Sequence, residues 1–90
     1  METRQIVFSQ HALDRLPERG INRKEVEAAI ASGERIRARK GRVAYRKNFP
    51  FEAKWKNRYY EIKQVIPIVM EKDDKLLVVT VYAFYFGGSK

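Results

Sequence analysis

The stretch ERIRARKGRVAYRK (Glu34–Lys47) is where the chain changes period, and its reading decides the fold. Arg35, Arg37 and Arg39 alternate with Ile36 and Ala38, the two-residue repeat of a strand. Lys40-Gly41 reads as a hairpin turn, and Val43 and Tyr45 then resume the alternation. Strands joined by so short a turn pair antiparallel, because a parallel pair needs a long crossover.

Toward the C-terminus the same grammar continues. Asn48-Phe49-Pro50 interrupts the pattern, and Pro50 is expected to start a connection or sit at a strand edge. Phe51, Ala53 and Trp55 alternate with Glu52 and Lys54, and Lys56-Asn57 is a second turn candidate. RYYEIKQVIPIVM (Arg58–Met70) reads as a long strand, with Pro67 placing an edge or a bulge within it. Lys72-Asp73-Asp74-Lys75 is a polar turn. LLVVTVYAFYF (Leu76–Phe86), the most hydrophobic segment, is expected to be the central strand, with Tyr82, Phe84 and Phe86 on one side and Val81, Ala83 and Tyr85 on the other. Residues 87–90, GGSK, read as a flexible tail.

Toward the N-terminus the period lengthens. Arg4–Phe8 is short and β-prone and reads as an edge strand. Ser9 can cap a helix that starts at Gln10 and buries Ala12, Leu13 and Leu16. Pro17 kinks that helix or ends it, and Gly20 supplies the stop. Asn22 with Glu25 three residues on resembles a capping box for a second helix, which buries Val26, Ala29 and Ile30 and closes at Gly33. Each helix has one apolar stripe and needs a surface to cover. The fold expected is therefore α+β: two N-terminal helices on one face of a twisted antiparallel sheet of about four to five strands, as a single domain over residues 1–90. The other sheet face is left partly open, and the row Arg35, Arg37, Arg39 is expected there.

Nineteen Lys and Arg against eleven Asp and Glu give a net charge of +8, which favours an anionic partner such as RNA, DNA, an acidic protein or a membrane surface. A solubilising or thermophile-like exterior gives the same number. Absence of cysteine excludes disulfides, thiolate nucleophiles and sulfur-ligated zinc. One histidine argues against a transition-metal site, so neither metal nor cofactor is expected. No secretory signal is visible, and the apolar runs are too short to span a bilayer as helices, so a cytoplasmic protein without membrane contact is expected. A core of this size gives modest stability, which leaves a homodimer open.

His11 lies away from the apolar stripe of the first helix, with Arg15 one turn on. An ordinary imidazole titrates near pH 6.5 and can take or give a proton in the cell. Cleaving RNA without metal requires removing the 2′-hydroxyl proton, protonating the leaving 5′-oxygen and stabilising charge on the phosphorane. One His suits one of the proton steps and Arg the charge stabilisation. The competing reading makes His11 the polar side of a surface helix, and makes Arg15 and Arg19 partners of Asp14 and Glu18 in weak surface pairs. Seven of the thirteen residues from Arg35 to Lys47 are cationic: Arg35, Arg37, Arg39, Lys40, Arg42, Arg46 and Lys47. They form a candidate phosphate track, an edge that deters aggregation, or a docking face for an acidic segment. Phe51, Trp55, Tyr59, Tyr60, Tyr82, Phe84, Tyr85 and Phe86 read mostly as packing, although a tyrosine beside a basic row can stack on a base.

Phe8, Ser9, His11, Ala12, Arg15, Glu18, Arg19, Gly20, Ile21, Glu25 and Val26 follow the pattern F-S-x-H-A-x-x-R-x-x-E-R-G-I-x-x-x-E-V, with Pro17 inserted into its helical part. In this the chain resembles the small prokaryotic family catalogued as domain-of-unknown-function family 4258, and more loosely so in the last strand, where Thr80 matches. That family is similar in layout to the RelE-like ribonuclease toxins, within the wider barnase, EndoU and colicin-nuclease assemblage. The resemblance implies a RelE-like fold and names His11, Arg15 and Arg19, with Thr80 or Tyr82 from the last strand, as candidate catalytic residues. The leading expectation is a metal-independent endoribonuclease, the toxin of a toxin–antitoxin pair, which binds RNA and is covered by an acidic antitoxin. The alternatives are a non-catalytic RNA- or DNA-binding accessory module and an interaction subunit for a protein partner.

Overall fold

A computed structural model describes residues 4–88. The chain runs β1 (Gln5–Phe8), α1 (Gln10–Glu18), α2 (Arg23–Ser32), β2 (Glu34–Arg37), a 3₁₀ turn (Arg39–Gly41), β3 (Val43–Trp55), β4 (Arg58–Glu71) and β5 (Lys75–Phe86). The strands form one five-stranded sheet in the order β1-β5-β4-β3-β2. Pairing is antiparallel throughout β2 to β5. β1 instead runs parallel to β5, with Phe8 opposite Val78. No short turn links these two, since the rest of the chain lies between them, so nothing forces them antiparallel.

The capping signals act as the sequence predicts. Ser9 accepts from the Ala12 N–H at 3.0 Å. Asn22 accepts from the Glu25 N–H at 2.8 Å, and the Glu25 carboxylate accepts from the Asn22 N–H at 3.0 Å, completing the box. Pro17 falls in the last turn of α1, where the helix is already ending. Gly20 then takes φ +68°, and the Ile21 N–H reaches back to the Leu16 carbonyl at 2.9 Å while the Gly20 N–H bonds Pro17. This is a Schellman closure, with Leu16 and Ile21 both buried beneath it. Lys56 and Asn57, both at positive φ, make the β3–β4 turn.

Both helices cover one sheet face. Ala12, Leu16, Ile21, Val26 and Ala29 meet Val43, Tyr45, Val65, Val69, Leu76, Val78 and Val81 in a single core. On β4 the buried set is Lys63, Val65, Pro67 and Val69, and the intervening Ile62, Gln64, Ile66, Ile68 and Met70 turn to the uncovered face.

Three expectations need correction, and one is narrowed: Pro50 begins no connection but takes the strand-edge place expected as its alternative, inside β3 opposite Ile62. β2 covers only Val43–Arg46 of β3, so from Lys47 onward that side of β3 has no strand neighbour, and a proline costs no ladder bond there. Pro67 is fully buried in β4, the middle strand of the sheet and not an edge. The β3–β4 pairing passes from Ala44↔Ile68 to Lys47↔Val65, so it lapses opposite Pro67, and the neighbouring bulge lies in β5 at Val79. β4, not β5, is central, and β5 is flanked by β1 only along its first four residues. Arg35 and Arg37 pair with Tyr45 and Val43, so they lie on the helix-bearing face and Ile36 takes the open one. Of the tail expected at 87–90, Gly87 and Gly88 lie close against Glu61 and Tyr59, and Ser89 and Lys90 fall outside the described residues. Among the described residues no helix is long and apolar enough to cross a membrane.

One polar network in the core had no sequence signal. The Lys63 ammonium donates to the Gly20 carbonyl at 2.8 Å and reaches the Glu25 carboxylate at 2.7 Å, with its side chain only 7% exposed. Glu25, the capping residue of α2, is thereby tied to β4 and to the α1–α2 turn. Removing one partner strands the other in a poorly solvated place. Lys63→Ala is expected to cost about 3 kcal/mol, and Lys63→Ala with Glu25→Gln less than the sum of the single changes. Urea unfolding of the three variants measures this, and additive losses would show the pair to be uncoupled.

Candidate active site

The bulge at Val79 and the end of β1 at Phe8 fall side by side, and the site is built on that coincidence. Ser9 donates its N–H to the Val78 carbonyl at 3.0 Å and its hydroxyl to the Val79 carbonyl at 2.9 Å, which fixes the start of α1 on the β5 margin. His11, in the first turn and exposed, then reaches across the edge of β5, and its Nε2 lies 3.1 Å from Thr80 Oγ1. A contact sixty-nine residues apart in sequence is thus made by one cap and one bulge.

At the other end of α1, Arg19 is the C-cap residue. Its guanidinium donates to the Val81 carbonyl at 2.6 Å and lies 5.2 Å from the centre of the Tyr82 ring. The Tyr85 hydroxyl donates to the Arg19 carbonyl at 2.6 Å, holding the backbone from the opposite side. Burial, reinforced by the nearby Glu25 carboxylate, pushes the Tyr85 phenol up to about 12. The folded state therefore favours the neutral phenol. That contribution to stability is complete below about pH 10 and is lost as pH rises toward about 12. Ultraviolet titration of phenolate should find one tyrosine ionising near pH 12, and it should vanish in Tyr85→Phe. Persistence of that late ionisation in Tyr85→Phe would assign it elsewhere.

Thr80 and Tyr82 open onto a cleft of about 510 Å³ on the uncovered sheet face, floored by Ile68 and walled by Ala38, Arg39, Lys40 and Arg42 of the 3₁₀ turn. Lys40 and Gly41 take positive φ, which folds the turn back so that its cations border this cleft. Arg39 and Lys40 are exposed, whereas Arg42 Nε is buried with no hydrogen-bond partner among the described residues. Four of the five expected catalytic residues thus form two contacts, His11 on Thr80 and Arg19 on Tyr82, and of the four only Thr80 and Tyr82 line the cleft.

Arg15 stands apart. It pairs with Glu18 at 2.9 Å, and its Nε is buried without a partner among the described residues. The basic ribbon also divides. Arg39, Lys40 and Arg42 line the cleft of Thr80 and Tyr82. Arg35 bonds Glu71 at 2.9 Å, and Glu71 also accepts from Tyr45 at 3.0 Å. Burial would raise the Glu71 carboxyl, but the hydrogen bonds from Tyr45 and Arg35 outweigh it and hold the group below its usual value. Arg37 shares a separate hollow with Arg35 and Glu71. Arg46 pairs with Glu34 across β2, and Lys47 lies over the Phe49 ring on the helix-bearing face. A strand's alternation sends neighbouring cations to opposite faces, so a run of charge in sequence is not a single patch in space.

A second cavity, of about 580 Å³, lies at the free edge of β3 against Asn48, Pro50, Ile62, Glu52 and Glu61, and no candidate catalytic residue lines it. Among the described residues no three His, Asp or Glu side chains gather as metal ligands. No curated protein and no solved structure matches the chain. Residues 8–83 do match a family, and this span begins at the Phe8 that precedes the Ser9 cap and runs past Thr80 and Tyr82, taking in every residue of the cleft; the chain belongs to that family, described as domain of unknown function (DUF4258).

Proposed function

We propose that the protein is an endoribonuclease that works without a metal ion, with the cleft between Thr80 and the Arg39–Arg42 turn receiving the scissile phosphate. The contact of His11 Nε2 with the Oγ1 of Thr80, itself a lining residue of a cation-walled cleft, carries this reading. Thr80 holds the ring in place. A substrate 2′-hydroxyl entering beside Thr80 gives its proton to His11, and O2′ attacks phosphorus. The bond from phosphorus to the 5′-oxygen breaks, leaving a 2′,3′-cyclic phosphate, and the departing oxygen takes its proton from the Tyr82 phenol. Arg39 and Lys40 balance the charge that grows on the phosphorane, and Arg19, held on Tyr82, orients that ring.

The toxin role follows from the same surface. A free chain of net charge +8 with such a cleft calls for an acidic antitoxin that covers the cations until it is removed. The RelE-like relationship belongs to this proposal, supported by the layout of two helices on one sheet face. Incubation of a mixed RNA with purified protein in EDTA, beside His11→Ala, is the test. Cleavage by the parent chain alone is expected. Equal cleavage by both, or by neither, would overturn the assignment. Salt-sensitive RNA binding without product would instead favour the accessory-module reading.

A further inference from the structure

The uncovered sheet face carries more than the cleft. Tyr82, Phe84 and Phe86 project from alternate positions of β5 and are 42%, 51% and 40% exposed. Three large rings left in solvent on one strand are a costly arrangement for a chain with a small core, unless something covers them. Opposite them on β4 lie Ile66, Gln64 and Ile62. Beside Phe84, the Gln64 amide donates to the Asn48 side-chain carbonyl at 2.9 Å, and this pair of amides lies between Ile62 and Ile66. The row starts in the cleft, where Tyr82 stands among Arg39, Lys40 and Arg42, and runs along β5 away from it to Phe86, opposite Ile62.

We infer that this row is a stacking platform for single-stranded RNA leading away from the cleft, a proposal that rests on the endoribonuclease reading and specifies its substrate as unpaired RNA. Three features favour it. Alternate residues on a strand stand roughly 6.7 Å apart. That is about twice the 3.4 Å rise per nucleotide of a stacked strand, so bases meet successive rings only when the strand is extended and unpaired. Aromatic faces accept any base, so a row of rings binds a strand without reading its sequence. The amides of Gln64 and Asn48 lie where a base on Phe84 would present its edge. The cations of the cleft place the bound phosphate at the Tyr82 end of the row, and the end of β5 at Phe86 limits the track to its three rings.

The test measures binding of a fluorescent single-stranded oligoribonucleotide, and of the matching duplex, to His11→Ala protein carrying Phe84→Ala, Phe84→Leu, Phe84→Tyr or Phe86→Ala. Expected are about 10-fold weaker single-strand binding for Phe84→Ala and Phe86→Ala, a similar loss for Phe84→Leu, and retention for Phe84→Tyr. The salt slope should stay unchanged in all four, while Arg39→Ala with Lys40→Ala should flatten it. Unchanged affinity in Phe84→Ala, duplex bound as tightly as single strand, or a parent dimer that Phe84→Ala dissociates would each overturn the platform. Weakened binding in Phe84→Ala with no cleavage by the parent chain would uphold the platform and sink the nuclease. Cleavage lost in His11→Ala with affinity untouched in Phe84→Ala would do the reverse.

Discussion

His11→Ala is expected to lower RNA cleavage by about 10²–10⁴-fold while leaving the fold intact. That range is what one positioned acid or base contributes, and His11 is the only imidazole in the chain. Its side chain is exposed and adds nothing to the core, so the thermal midpoint should move little. RNA affinity should also hold, because the cations bordering the cleft, Arg39, Lys40 and Arg42, remain. Thr80→Val keeps the β-branched shape but removes the hydroxyl 3.1 Å from Nε2, and a loss of about 10-fold is expected from a ring left free to turn. A fall in both variants, larger for His11, with unchanged melting and unchanged binding, fits a proton carrier oriented by a hydroxyl. Loss of melting temperature in step with loss of cleavage would show that both changes act on folding.

Gly20→Ala is expected to be the most damaging single change to stability, at ~3 kcal/mol or more. A left-handed conformation costs any side chain about 1–2 kcal/mol, and the new Cβ would stand 2.6 Å from the Trp55 ring and 2.7 Å from the Tyr85 hydroxyl. Overpacking of that kind adds about 1–3 kcal/mol. The ring cannot retreat freely, because Trp55 is stacked on Tyr85 with centres 5.1 Å apart, and Tyr85 is bonded to Arg19. For a chain of this length the midpoint should fall by more than about 12 °C. Gly41 is the control: its φ is +71°, but a Cβ there meets nothing within 4 Å. Gly41→Ala should therefore cost only the backbone part, about 1–2 kcal/mol. Equal losses at Gly20 and Gly41 would mean that the packing against Trp55 contributes nothing. Because Gly20 lies next to Arg19, a tolerated Gly20→Ala should also loosen Arg19 from Tyr82.

Much of this architecture was legible one residue at a time. Caps, turns and alternation are local chemistry, so Ser9, the Asn22–Glu25 box, the Gly20 stop, the Lys56-Asn57 turn and the two sides of β5 could all be read without coordinates. Antiparallel pairing of β2 to β5 followed from the shortness of their links. So did the sharing of one core by two helices with one apolar stripe each.

What depended on long-range register could not be read. Whether β1 runs parallel to β5, and which strand lies in the middle, depend on contacts between segments some seventy residues apart. Pro67 looked like an edge signal because proline lacks an N–H, yet it fits a central strand where the pairing with β3 lapses. The cation-rich ribbon split because a one-residue shift in pairing sends a side chain to the other face, and nothing in a run of arginines fixes that shift. Lys63 carried no mark of burial until Glu25 and the Gly20 carbonyl closed around it. The chain by itself therefore determined its elements, its turns and the residue types suited to proton transfer, because those follow from short-range sterics and hydrogen bonding. Only the tertiary structure decided that a bulge in the last strand should carry Thr80 to His11, and that three aromatic rings should be left without a cover.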